Sequence, residues 1–146
     1  MLRTILFAIA LTVAAITTAR AGDAPKATLY KNPQCGCCEE YASYLRGNGF
    51  DVAVTPTYDL ETINRKAGVP EQLEGCHAMF IDGYVIDGHV PVDIVRRLLS
   101  ERPKIAGITL PGMPAGSPGM SGTKTGPFVV YALPRDGGVP TVYATE

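Results

Sequence analysis

Apolar and polar positions along this chain fall into short runs whose periods predict their structure. Ala27-Thr28-Leu29-Tyr30 reads as a buried strand, and Lys31-Asn32-Pro33-Gln34 breaks it. From Cys37 to Asn48 the period becomes helical, with Tyr41, Tyr44 and Leu45 at i, i+3, i+4 and Gly47-Asn48-Gly49 as the stop. Phe50 to Thr55 alternates as a second strand. A short helix follows over Asp59 to Ala67, with Asp59 as N-cap, Ile63 facing inward and Gly68 as terminator. His77 to Ile81 and Tyr84 to Ile86 are apolar runs joined by Asp82-Gly83, the pattern of a tight hairpin. Pro91 then opens a helix to about Glu101, with Val92, Val95, Leu98 and Leu99 as its inner stripe. The order β-α-β-α-β-β-α predicts a small α/β sandwich with a mixed sheet, its first two strands parallel and its last two a hairpin. Beyond it, Leu110 to Gly126 is a Gly/Pro/Ser-rich stretch read as a long ordered loop. Phe128 to Tyr131 and Val139 to Tyr143 then form a terminal hairpin of the same domain.

The beginning of the chain has a different character. Arg3 precedes an apolar run from Ile5 to Ile16, and Ala19-Arg20-Ala21 supplies a small-x-small cleavage pattern. The run is short for a bilayer crossing and fits a secretory signal peptide over residues 1–21. The mature chain, 22–146, is expected to be one soluble domain of 125 residues exported to the periplasm, large enough to build a core without disulfides. Cleavage removes two arginines and shifts the net charge from −1 to about −3, and no basic stripe points to nucleic acid.

Four cysteines in an exported chain ordinarily suggest two disulfides. Here Cys35, Cys37 and Cys38 lie within four residues, and only Cys76 stands apart. Bridges inside such a cluster close almost no loop, so a structural framework gains little from them. The triplet follows a strand and opens a helix, where unpaired N–H groups and the helix dipole stabilise thiolates. Cys35 and Cys38 have the spacing of a redox dithiol and can either form a disulfide or share a metal. Cys37 projects about 100° from Cys38, toward a different metal or another edge of the same site. The arrangement resembles thioredoxin-like folds, in which the chain entering the third strand passes the N-terminus of the first helix. Thioredoxins carry a proline there; Gly75-Cys76-His77 replaces it, bringing a fourth sulfur to face the other three.

Four thiolates concentrate negative charge. One zinc ion would neutralise half of it, whereas several sulfur-bridged Cu(I) ions could neutralise all, and thiolate and thioether donors select Cu(I). Met113 and Met120, in Pro-Gly-Met-Pro-Ala-Gly-Ser-Pro-Gly-Met, are candidate thioether ligands, or else cover an apolar groove. Together, Asn-Pro-x-Cys-x-Cys-Cys, Gly-Cys-His, Asp-Gly-x-x-Ile-Asp-Gly-His-Val-Pro and the methionine loop resemble the CopG-like periplasmic copper-resistance proteins. The resemblance spans about Leu29 to Val130 and implies a thioredoxin-like three-layer fold. It also implies Cu(I) in a multinuclear cysteine-bridged cluster, with Cys35, Cys37, Cys38 and Cys76 as ligands and a role in copper redox or handling. Copper ions are the implied partner, with other periplasmic copper-handling proteins left open.

The remaining polar residues read as structural. His77 follows Cys76 on a strand and should point to the opposite face, which favours a satisfied imidazole over the alternative of a ligand. His89 should shape the entry to the following helix by local hydrogen bonds, or else support a metal ligand from behind. Met79, Tyr30, Tyr41 and Tyr44 read as packing, and Asp82 and Asp87 as turn residues. Three functions stay open: a copper-binding redox or carrier protein, a thiol–disulfide oxidoreductase using Cys35 and Cys38, and a non-catalytic domain with one structural disulfide. Whether the chain is an enzyme is not settled by these residues. Intact mass of the exported protein is expected to place Gly22 at the N-terminus; a mass that retains residues 1–21 would remove the leader reading.

Overall fold

The structure, a computed structural model, describes residues 23–146, so the proposed leader lies outside the described residues. The elements are β1 (Lys26–Lys31), α1 (Gly36–Gly47), β2 (Asp51–Pro56), α2 (Leu60–Ala67), a 3-10 turn (Glu71–Leu73), β3 (His77–Ile81), β4 (Tyr84–Asp87), α3 (Val92–Glu101), β5 (Ile105–Thr109), β6 (Val129–Pro134) and β7 (Thr141–Thr145). One mixed seven-stranded sheet runs β2-β1-β3-β4-β5-β6-β7. As expected, β1 and β2 are parallel and β3 and β4 form an antiparallel hairpin. No described helix is long and apolar enough to cross a membrane.

Period-two alternation divides the core between the faces. Leu29, Met79, Ile81, Ile86 and Ile108 join Tyr41 and Leu45 of α1 and Val95 and Leu98 of α3 in the larger cluster. Ala78, Val85 and Leu133 point the other way, against Leu60, Ile63 and Ala67 near α2. The stripe of α3 includes Ile94, and Leu99 is only half-buried. The terminators behave as read: Gly68 takes the left-handed conformation after α2. Asp59 occupies the N-cap position of α2 without a side-chain capping bond.

Strand β5 was absent from the sequence reading. It pairs parallel with β4 and antiparallel with β6, so the terminal hairpin extends the same sheet. The period signal is weak because Gly107 interrupts a five-residue run, and the glycine is there for contact. A Cβ at that position would come within 1.8 Å of the Val85 carbonyl oxygen.

The Gly/Pro/Met loop is ordered by its own turns. Ser117 and Met120 donate backbone N–H groups to Pro114 and Ser117 carbonyls, and Gly116 donates to Ser121. The loop lies directly on α1, where a Cβ on Gly119 would come within 2.6 Å of Tyr41 N. Gly112 has a similar left-handed φ of +78° and nothing within 4 Å of such a Cβ. Gly112→Ala is therefore expected to cost about 1–2 kcal/mol through backbone strain alone. Gly119→Ala should cost about 1–3 kcal/mol more, because the loop must also lift from the helix. Denaturant unfolding of both variants checks this; equal losses would remove the close-packing argument.

Candidate metal centre

The loop from β1 into α1 is shaped around a buried lysine. Lys31, 3% exposed, donates Nζ hydrogens to the carbonyls of Asn32, Pro33 and Cys35 at 3.2–3.3 Å and pairs with Glu39 at 3.1 Å. Asn32 Oδ1 accepts the Gln34 N–H, and Asn32 O accepts that of Cys35. The turn delivers Cys35 to the N-cap of α1, with Cys37 and Cys38 in the first helical turn. Cys35 makes no capping bond, so the helix presents its N–H groups and positive end to the sulfurs.

Cys76 arrives from the chain entering β3, as the sequence reading required. Its Sγ lies 3.4 Å from Cys38 Sγ and 3.9 Å from Cys37 Sγ, and Cys35 and Cys37 sulfurs are 3.4 Å apart. The four Sγ atoms lie within 4.8 Å of one another, with Cys38 buried and the other three half-buried. The Cys37 sulfur lies at one edge of this group, beside those of Cys35 and Cys76. Cys35 and Cys38 are joined as a disulfide, and Cys37 and Cys76 are free thiols. The bridge lies inside the cluster and closes only one helical turn.

Two histidines that the sequence favours as structural, over a ligand or supporting role, lie at this site. His89 is completely buried, and its Nε2 is 2.9 Å from Cys76 Sγ. Its Nδ1 lies 2.6 Å from the Pro118 carbonyl oxygen. A carbonyl only accepts, so Nδ1 carries the hydrogen and Nε2 accepts from the Cys76 thiol. His77, also 0% exposed, places Nδ1 3.5 Å from Cys76 Sγ, and its Nε2 has no partner. It is a core imidazole, yet an unsatisfied one. The overlooked signal was register. With a two-residue turn at Asp82-Gly83, Ala78 pairs with Asp87, and continuing that ladder sets Cys76 opposite His89.

The crossing also explains the flanking glycines. A Cβ on Gly75 would come within 2.5 Å of Gly88 Cα, and one on Gly88 within 2.2 Å of the Leu110 carbonyl oxygen. Three chain segments meet here backbone to backbone. Asp87, read as a turn residue, is fully buried beneath the crossing. Its Oδ1 accepts the Gly75 N–H and the Thr109 hydroxyl at 2.9 Å, while Oδ2 has no partner. Asp82 keeps its turn role and pairs with Arg102. Met113 is 43% exposed, with a left-handed φ of 49°, and Met120 is half-buried in the loop over α1.

Burial controls the protonation of this centre. It raises the Cys76 thiol well above its ordinary value, aided by the neighbouring Cys37 and Asp87 charges, so a soft metal must displace a proton to bind there. Burial, then the His89 charge, lowers His77 to about 3, and burial lowers His89. Burial raises Asp87 to about 7 against its hydrogen bonds from Gly75 and Thr109. A raised carboxyl destabilises the fold as pH climbs through the window from its unfolded value to about 7, whereas a depressed histidine destabilises it as pH falls from about 6.5. The two effects oppose each other between about pH 4 and 6.5. Asp87→Asn is expected to leave the histidine effect uncovered. Its stability should rise with pH more steeply than that of the parent, by about 1.4 kcal/mol per pH unit in that window. Chemical denaturation of the metal-free disulfide form across pH measures the difference; parallel curves would show that Asp87 does not titrate there.

Comparison with known proteins fits this geometry. The family profile described as "Protein of unknown function, DUF411" matches residues 73–120, the stretch that carries Cys76, both histidines, Asp87 and the methionine loop. No curated protein matches. The solved structure "Copper resistance protein copG- Form 2" is 34% identical, with a TM-score of 0.78, covering 84% of this chain and 98% of that one. "Copper resistance protein copG- Form 1" is 35% identical, with a TM-score of 0.76 and the same coverage. At that identity over nearly the whole solved chain, this protein belongs to the CopG family of copper resistance proteins.

Proposed function

We propose that this protein is a periplasmic copper-binding protein of copper resistance, which holds Cu(I) in a multinuclear cluster of Cys35, Cys37, Cys38 and Cys76 thiolates. The observation that carries the reading is four sulfurs gathered within 4.8 Å at the mouth of α1. The two related structures, both copper resistance proteins by name, point to copper as the metal. Soft thiolates favour Cu(I), and ions bridged by sulfur would neutralise the charge the cluster accumulates on deprotonation. A cluster using all four sulfurs requires the Cys35–Cys38 bond to be opened first, by two electrons and two protons from a thiol reductant. Met113 and Met120 are proposed as further thioether donors from the loop that lies on α1. Periplasmic location rests on the leader read from residues 1–21.

A second reading is favoured by the disulfide itself. Half-exposed Cys35 and buried Cys38 are bridged at a helix N-terminus, with Cys76 Sγ 3.4 Å from Cys38 Sγ, so thiol–disulfide exchange is geometrically open.

The anaerobically reduced protein is expected to bind more than one Cu(I), and Cys76→Ser to lower the stoichiometry sharply. No bound copper, or a Cys76→Ser variant indistinguishable from the parent, would end the copper reading. Under the second reading the metal-free protein would instead catalyse insulin reduction and tolerate loss of Cys37.

A further inference from the structure

Closing the Cys35–Cys38 bond removes two of the four sulfurs as thiolate ligands and leaves Cys37 and Cys76. The second of these also belongs to another donor set. Cys76, His77 and His89 each offer a ligand atom, all within 4.8 Å of one another. We infer that these three residues form a distinct copper position of mixed sulfur and nitrogen donors, which holds one ion while the Cys35–Cys38 disulfide is closed. The inference rests on the copper reading above and adds to it the state of the site after its dithiol is oxidised.

The pocket is organised for such an ion. His89 is fixed through Nδ1, which donates to the Pro118 carbonyl and leaves the Nε2 lone pair directed at Cys76 Sγ. A metal-bound histidine commonly has its other ring nitrogen held by a backbone carbonyl in this way. His77 is completely buried and places Nδ1 3.5 Å from Cys76 Sγ, within reach of an ion held by that sulfur. The Tyr41 ring packs against both imidazoles, with centroids 4.7 Å from His77 and 5.2 Å from His89. Its hydroxyl is committed to the Val90 carbonyl at 2.8 Å, so it walls the pocket without competing for the imidazoles. Imidazole accepts copper in either oxidation state, whereas an all-thiolate cluster selects Cu(I). Cys76 is the residue common to both sets and couples them.

The test uses the copper-free protein with the disulfide closed, verified by a count of two free thiols. Anaerobic titration with Cu(I) against a competing chelator is expected to give one bound equivalent, with both nitrogen and sulfur scatterers in the X-ray absorption spectrum. Cys37→Ser should retain that equivalent, since Cys76 is then the only free thiol. His89→Ala should weaken binding to the disulfide form by at least about tenfold. The same variant, once reduced, should still take up copper through its thiolates, which verifies its fold. Should His89→Ala fail to fold, the scatterers around copper in the parent disulfide form decide the matter. No copper in the disulfide form, or sulfur scatterers alone, overturns the inference and leaves the thiolate cluster standing if the reduced protein still binds. Failure of both forms to bind overturns both.

Discussion

The site depends on a backbone crossing. Gly75 passes Gly88 too closely to tolerate a Cβ, and Gly88 is closed in the same way against the Leu110 carbonyl. Asp87 holds the crossing through the Gly75 N–H and the Thr109 hydroxyl. The chain entering β3 and the chain leaving β4 are thereby locked side by side at the N-terminus of α1. Cys76 and His89 occupy matching positions on the two segments, and their contact follows from that register. Without the crossing, the sulfur that completes the cluster would have no fixed place.

The loop on α1 makes this a closed arrangement. Gly119 seats the loop on the Tyr41 backbone, and the preceding Pro118 carbonyl orients His89. Tyr41 ties the same helix to the entry of α3 through the Val90 carbonyl, and Tyr44 does so by accepting the Val92 N–H at 3.0 Å. The two tyrosines thus do more than pack. They couple the helix bearing three cysteines to the segment bearing His89. The long ordered loop is therefore a structural member of the site, which accounts for its many glycines and prolines.

The chemistry is set by low exposure as much as by donor type. Burial favours the protonated Cys76 thiol and the neutral form of both imidazoles, which lowers the charge held inside the core. A soft cation changes that balance by replacing protons, and the site can then carry thiolates it could not otherwise hold. The closed disulfide is the other way of removing charge from the same sulfurs.

Much of this was legible in the chain alone. The Cys35-Gly36-Cys37-Cys38 triplet after a strand, the Asp82-Gly83 hairpin and the periods of the three helices are local patterns, and local patterns survive translation into structure. The meeting of Cys76 with the triplet was also within reach, because the order of elements constrains which ends of the sheet coincide. Strand β5, the buried Asp87 and the ligand-like placement of His77 and His89 were decided by the tertiary structure. Each depends on a partner distant in sequence: Val85 for Gly107, Gly75 for Asp87, Cys76 and Pro118 for His89. A residue's neighbours along the chain report its backbone preference, whereas its burial and its hydrogen-bond partners exist only once the sheet has brought separate segments together.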